Sequence, residues 1–225
     1  FFGLGKYDAD VHLLDIKRRI SVLRKKLIKQ EKRKFLQRTG RARSGFPTVS
    51  IIGYTSVGKT TLFNLLTGET KLVGMELFTT LSTSSRIVNI KGDKIMFSDT
   101  VGFISKLPAY MIDAFKSTLQ DLIFSNVILL VLDLSQSYEM LKKQLSSSFT
   151  VLIHLRVSTA KIIYVFNKMD LVNLEDAKDK SGKLGILNQN NKNAVMISSK
   201  CGMNVDILLE TILSKIHFSM MKVNN

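Results

Sequence analysis

Residues 53–60 read Gly53-Tyr54-Thr55-Ser56-Val57-Gly58-Lys59-Thr60, two glycines separated by four residues and followed at once by a lysine and a hydroxyl. The apolar stretch Thr48-Val49-Ser50-Ile51-Ile52 precedes them, and Lys59-Thr60-Thr61-Leu62-Phe63-Asn64-Leu65-Leu66 follows with helical character. A strand, a glycine turn and a helix start in that order form the context of a phosphate-binding loop. Gly53 and Gly58 let the backbone curl so that successive N–H groups point inward as an anion nest. Gly53, Thr55, Ser56, Val57, Gly58, Lys59, Thr60 and Thr61 are therefore the expected cradle, backed by the positive end of the following helix. Lys59 reaches β- and γ-phosphates from this position, and the Thr60 hydroxyl is a ligand for Mg²⁺.

Three further motifs close apolar segments downstream. Lys94-Ile95-Met96-Phe97-Ser98 reads as a strand and delivers Asp99-Thr100-Val101-Gly102. An aspartate at a strand end with glycine three residues on holds Mg²⁺ through water and senses a γ-phosphate with the glycine N–H. Lys161-Ile162-Ile163-Tyr164-Val165-Phe166 runs into Asn167-Lys168-Met169-Asp170, and Ala194-Val195-Met196-Ile197 runs into Ser198-Ser199-Lys200. Such a pair suits guanine. The Asp170 carboxylate accepts from N1–H and N2–H, whereas adenine leaves it without donors at a cost larger than a lost contact. Ser199 N–H is expected to donate to guanine O6, Lys168 to lay its methylene stem over the base, and Asn167 to tie this loop to the phosphate loop. GTP and GDP are the ligands this set predicts.

The 225 residues accommodate one nucleotide-binding domain and a modest extension. Val127-Ile128-Leu129-Leu130-Val131-Leu132 is the longest apolar run, too short to span a bilayer. No secretory signal opens the chain, and a start at Phe1-Phe2 rather than Met reads as a fragment of something longer. The single cysteine, Cys201, excludes an internal disulfide framework, suits a reducing cytosol and is expected to be buried. His12, His154 and His217 make no metal-ligand spacing.

Charge is uneven. Residues 1–45 carry 14 Lys/Arg against 4 Asp/Glu, and the remaining residues 19 against 14, within a net charge of +15. Two-thirds of the excess thus lies in one-fifth of the chain, which points to a polyanionic partner. Leu13, Ile16, Ile20, Leu23 and Leu27 are spaced 3, 4, 3 and 4 on a helix expected from about Asp10 to Arg38. Lys17, Arg18, Arg19, Arg24, Lys25, Lys26 and Lys29 occupy its other faces. Two heptads are too few for a free-standing coiled coil, so the seam is expected to pack on another helix, upstream of Phe1 or on the following domain. Three readings remain for the basic faces: an RNA-facing helix whose cations neutralise phosphates, a solvated face, or a membrane surface, disfavoured by the narrow seam without Trp. RNA is the expected polyanion, with neither DNA nor membrane as a partner.

Arg41-Ala42-Arg43-Ser44-Gly45-Phe46-Pro47 reads as a linker and divides a basic helical segment, 1–45, from a nucleotide-binding domain, 46–225. Within the second, strands are expected at 48–52, 84–90, 94–98, 126–133, 161–166 and 194–198. Helices are expected at 59–67, 109–123, 137–149, 175–182 and 204–217, with a surface loop over 183–193. Lys91-Gly92-Asp93 is a hairpin turn, making the second and third strands antiparallel. Alternation of this kind with nearly all-apolar strands predicts an α/β fold, a doubly wound and mostly parallel six-stranded sheet. Ligand then binds at the carboxyl ends of the strands.

The details resemble one family. Gly53-Tyr54-Thr55, Leu77-Phe78-Thr79-Thr80-Leu81, Asp99-Thr100-Val101-Gly102-Phe103-Ile104, Leu107-Pro108 and Asp113-Ala114-Phe115-Lys116-Ser117-Thr118-Leu119 are similar to HflX GTPases, of the Obg–HflX group. Leu4-Gly5 and Asp15-Ile16-Lys17-Arg18-Arg19-Ile20 resemble the end of the HflX amino-terminal domain. The resemblance implies a P-loop GTPase fold and a cytoplasmic, Mg²⁺-dependent enzyme hydrolysing GTP to GDP and phosphate, slowly on its own. It further implies association with the large ribosomal subunit and ribosomal RNA. Alignment of the first switch puts the Mg²⁺-binding threonine at Thr80, with Thr79 and Thr83 as neighbours of the same chemistry. Lys59, Thr80 and Gly102 become the catalytic set, and Thr60, Thr80 and Asp99 the metal set.

Two departures bear on mechanism. Where many GTPases carry a water-orienting polar residue, this chain has Phe103, as is usual in the HflX group; it cannot polarise water. Where related loops often have an Asn that helps hold K⁺, this chain has Ser56, whose single oxygen and shorter reach argue against K⁺ stimulation. The competing expectation is a nucleotide-gated RNA-binding switch in ribosome biogenesis or RNA modification, with little intrinsic catalysis.

Overall fold

The computed structural model describes residues 11–26, 29, 45–69, 84–99, 121–186 and 193–221. The chain divides into two compact units, Phe1–Gly45 and Phe46–Asn225. In the first, residues 11–26 and residue 29 are helical. The seam residues Leu13, Ile16, Ile20 and Leu23 are all exposed. Asp15 pairs with Arg19 one turn on, at 2.8 Å. Leu27 and residues 30–44, the rest of the expected helix and its linker, lie outside the described residues.

The second unit is built on a six-stranded sheet: β1 Thr48–Gly53, β2 Ser84–Ile90, β3 Asp93–Asp99, β4 Val127–Asp133, β5 Ile162–Asn167 and β6 Ala194–Met196. Their spatial order is β2-β3-β1-β4-β5-β6. Only β2 and β3 pair antiparallel, around the Lys91-Gly92 turn, and the other neighbours are parallel. Alternation along the strands distributes side chains to two cores. Val49, Ile51, Phe97, Leu129, Val131 and Val165 face one way, where Leu62, Phe63, Leu208 and Ile212 from helices Lys59–Thr67 and Val205–Met221 cover them. Ile52, Ile128, Leu130 and Ile162 face the other way, with Leu122, Val151 and Leu152. Leu132 and Phe166 share that side with Leu141 and Ala177, from helices Tyr138–His154 and Leu174–Lys183.

Most boundaries follow from local chemistry. Ser137 caps its helix, its hydroxyl accepting from Met140 N–H. That helix runs to His154, beyond the expected 149, because Val151 and Leu152 continue the buried stripe. β6 stops at Met196, short of the expected Ile197-Ser198. Ile197 N–H still donates to Phe166 O at 2.8 Å, but Ser198 turns away and bridges to Met203. Cys201 falls in the turn beyond and is exposed, not buried as its residue type suggested. The 109–123 helix is described only from Asp121, as Asp121–Phe124, and most of the 183–193 loop lies outside the described residues.

Leu129 is fully buried in the middle of β4 with strands on both sides. Leu129→Ala removes core contacts there and is expected to cost about 3 kcal/mol of unfolding free energy. Urea unfolding followed by circular dichroism measures it, and a loss under about 1 kcal/mol would contradict the core assignment.

Candidate nucleotide-binding site

The carboxyl ends of the strands carry the motif residues side by side: Gly53 closes β1, Asp99 closes β3, Asn167 closes β5, and Ser198 follows β6. At the first of these ends, Gly53 has φ 148° and an added Cβ would lie 2.4 Å from Val131 O, the backbone of the neighbouring strand. Ser56 takes a left-handed φ of 63°, and Gly58 has φ 95°. Gly58 precedes helix Lys59–Thr67, which starts without a side-chain cap, so its first N–H groups keep their positive field.

Lys59 lies under this loop, 7% exposed, its Nζ donating to Tyr54 O at 2.6 Å. Burial lowers its pKa from 10.5 to about 8, against the opposing attraction of Asp99. A largely dehydrated ammonium beside a glycine turn and a helix N-terminus is a strong anion-binding element, since an incoming phosphate offsets the solvation that burial removed. Thr60 Oγ1 donates to Asp99 Oδ2 at 3.3 Å, joining the loop to the fully buried carboxylate at the end of β3.

The other side of the site is organised by Asn167. Its Nδ2 donates to Val57 O at 2.8 Å, across 110 residues. Its Oδ1 accepts from both Ser199 N–H and Ser199 Oγ at 2.9 Å. One buried amide therefore joins the phosphate loop to the loops after β5 and β6. Ser199 N–H, which the sequence assigned to a purine carbonyl, thus has an internal acceptor that a base would share. Asp170 lies at the exposed edge, where its Oδ1 accepts from Ser198 Oγ at 2.6 Å. Ser198 Oγ also accepts from Cys201 N–H, so the Ser198-Ser199-Lys200 turn is braced internally. Lys168, left-handed at φ 64°, pairs its Nζ with Asp133 Oδ2 at 2.6 Å. Sequence reasoning passed over Asp133; its signal was a carboxylate ending the all-apolar strand β4, as Asp99 ends β3. Thr55, Thr61 and Lys200 lie in or beside these loops, whereas Thr80, Gly102 and Phe103 lie outside the described residues.

Residues 48–168 match the model of a family described as "50S ribosome-binding GTPase". GTPase HflX of Methanocaldococcus jannaschii is 39% identical over 220 residues, 97% of this chain and 53% of that protein. The HflX of Caldanaerobacter subterraneus is 36% identical over 93% of this chain and 46% of its own length. The chain belongs to the HflX GTPases of this ribosome-binding family. A crystal structure of a GTP-binding protein from Sulfolobus solfataricus in complex with GDP superposes with a TM-score of 0.67. It is 31% identical and covers 94% of this chain and 61% of its own. This HflX-family chain spans about half the length of the curated relatives it matches.

An added Cβ at Gly58 would lie 2.4 Å from Asn167 Nδ2, in a backbone conformation that also disfavours side chains. Gly58→Ala in this HflX-family chain is therefore expected to break the Asn167–Val57 bond, costing about 1–3 kcal/mol of stability. GDP binding should weaken at least about tenfold, the scale of one buried polar group left unpaired. Urea unfolding and nucleotide titration check both, and parent-like values would show that the two loops are not coupled through Asn167.

Proposed function

We propose that this chain binds GTP and GDP and hydrolyses GTP to GDP and phosphate, in association with the large ribosomal subunit. The observation that carries the nucleotide reading is the Asn167 amide, which holds the phosphate loop and the two base-facing loops around one position. GDP in the similar Sulfolobus protein supports the same reading.

In this reading Asp170 takes guanine N1–H and N2–H, Lys168 covers the base, and the 53–61 backbone cradles the phosphates. Lys59 exchanges Tyr54 O for the β- and γ-phosphate oxygens. Its charge, costly in the buried loop, then offsets the negative charge that builds on the transferred group. Thr60 Oγ1 and Asp99 form a hard-oxygen pair suited to Mg²⁺, one as a direct hydroxyl ligand and the other through water. Thr80 completes the metal set and Gly102 N–H the γ-phosphate contact in the family pattern. When bound, Mg²⁺ supplies Lewis-acid charge neutralisation at the phosphates. Phe103 leaves the attacking water without a side-chain orienter, so a slow intrinsic rate and acceleration by a partner belong to the same proposal.

The family description and the charge of the first unit support a ribosomal partner and ribosomal RNA. Every described residue of the 11–26 helix is exposed, its basic positions included. A cytoplasmic location fits this reading. No helix among the described residues is long and apolar enough to cross a membrane.

Asp170→Asn turns one acceptor toward the guanine N–H groups into a donor. GTP affinity should fall on the order of a hundredfold, while XTP, with O2 in place of the amino group, gains what GTP loses. Competition binding with both nucleotides checks this, and unchanged GTP affinity would remove Asp170 from guanine recognition.

Ribosome-stimulated turnover tests the second half. If Arg18, Arg19, Lys25 and Lys26 neutralise RNA phosphates, stimulation should fall steeply with added salt. Their replacement by Gln should lower it further and leave the turnover of the protein alone nearly unchanged. Equal stimulation of parent and quadruple variant at every salt concentration would make this helix a solvated face only.

A further inference from the structure

Asp133 is the last residue of β4, 3% exposed, and lies in register opposite Asn167. A carboxylate this deep is expensive unless every lone pair is engaged. Oδ1 accepts from Ser135 N–H at 3.0 Å and Ser135 Oγ at 2.6 Å. Oδ2 accepts from Lys168 Nζ at 2.6 Å and, more weakly, from Gln136 Nε2 at 3.4 Å. Ser135 and Gln136 belong to the turn that β4 enters, so they orient the carboxylate independently of the lysine. Lys168 is the one cation paired with it among the described residues.

Lys168 needs such a partner. It is left-handed, a conformation unfavourable for a residue with a Cβ. The surrounding backbone is tied on both sides: Leu134 N–H donates to Asn167 O at 3.0 Å, Met169 N–H to Ile197 O at 3.1 Å, and Leu171 N–H to Lys168 O at 3.0 Å. These bonds fix where the Lys168 Cα lies but leave a four-carbon chain with several rotatable bonds. A lysine that serves the base with its stem must hold its ammonium elsewhere, or pay rotamer entropy each time a nucleotide binds.

We propose that Asp133 is a positioning residue for guanine-nucleotide binding: its carboxylate anchors the Lys168 ammonium so that the lysine stem is pre-set along the purine face. The proposal rests on the guanine reading of this loop. It places Asp133 behind Lys168, out of contact with the nucleotide. Because the anchored stem meets the face of the ring, its effect is independent of which groups decorate the base edge, whereas Asp170 acts on that edge alone.

Release of a fluorescent GDP analogue from the full chain, by stopped flow, tests this. Asp133→Asn keeps the size of the side chain and an Oδ1 for Ser135 but removes the charge that Lys168 pairs with. It is expected to speed release about tenfold, the scale of one charge-assisted hydrogen bond. The matching inosine diphosphate analogue, which lacks the 2-amino group, should be released faster by the same factor. Asp133→Glu retains the carboxylate and should restore most of the parent residence time. Lys168→Met keeps the stem and loses the anchor, so it should also release faster, and Asp133→Asn should add nothing on top of it. Full additivity of the two changes would show that Asp133 only closes the end of β4, and parent-like release by Asp133→Asn would overturn the proposal outright. Should Asp133→Asn not fold by circular dichroism, Lys168→Met carries the decision, since parent-like release there means the pair positions nothing. A parent chain that binds neither analogue would instead remove the guanine reading itself.

Discussion

The side chain of Asn167 is the constraint on which the nucleotide site depends. A primary amide has one carbonyl and one NH₂, and here each end is used on a different loop: Nδ2 on Val57 O, Oδ1 on Ser199 N–H and Oγ. Being 2% exposed, the amide works where water does not compete, so each bond has more of its intrinsic strength. The arrangement explains residue choices far from it in sequence. Gly58 is glycine because a Cβ there would occupy the space of Nδ2. Gly53 is glycine because Val131 O, on the strand that separates β1 from β5, comes just as close. Two glycines of one motif therefore answer to two different neighbours, the side-chain amide of Asn167 and a strand carbonyl.

What makes this possible is the sheet beneath. β4 is buried on both faces along its whole length and separates the strand carrying the phosphate loop from the strand carrying Asn167. Parallel pairing sets Gly53 opposite Val131 and Asp133 opposite Asn167, so the loops begin at staggered but fixed heights. A shift of one residue in either register would turn every inward side chain of the strand to the other face. The apolar alternation that builds the two cores thus also sets the distances in the site.

Much of this was legible in the residues. The strand 84–90 and the helix 59–67 fall where the pattern put them: Gly58 and Gly68 bound the helix, and the Lys91-Gly92 turn ends the strand. The motif residues come together at the carboxyl ends of the strands, as the alternation of strand and helix required. What escaped was what depends on distant partners. β6 ends early because Ser198 finds Met203 in the following turn, which periodicity does not register. Cys201 is exposed because its position in that turn overrides its residue type. Asp133 read as the last residue of an apolar run because the lysine that gives it meaning is 35 residues further along. Expectations for Thr80 and Gly102 concern residues outside those described.

The charges of the site follow one logic at two depths. Among the described residues Lys59 is held by a backbone carbonyl and attracted by Asp99, and desolvation still dominates, lowering its pKa to about 8. Lys168, at the rim, is paired directly with a carboxylate. A cation left partly uncompensated is one that an anion stabilises on arrival, whereas a compensated cation offers its carbon stem and little net field. The deep end of the site is therefore suited to phosphate and the shallow end to an uncharged ring. Binding energy from the phosphates is independent of the base, so in the proposed reading discrimination falls to Asp170, at the exposed edge of the site.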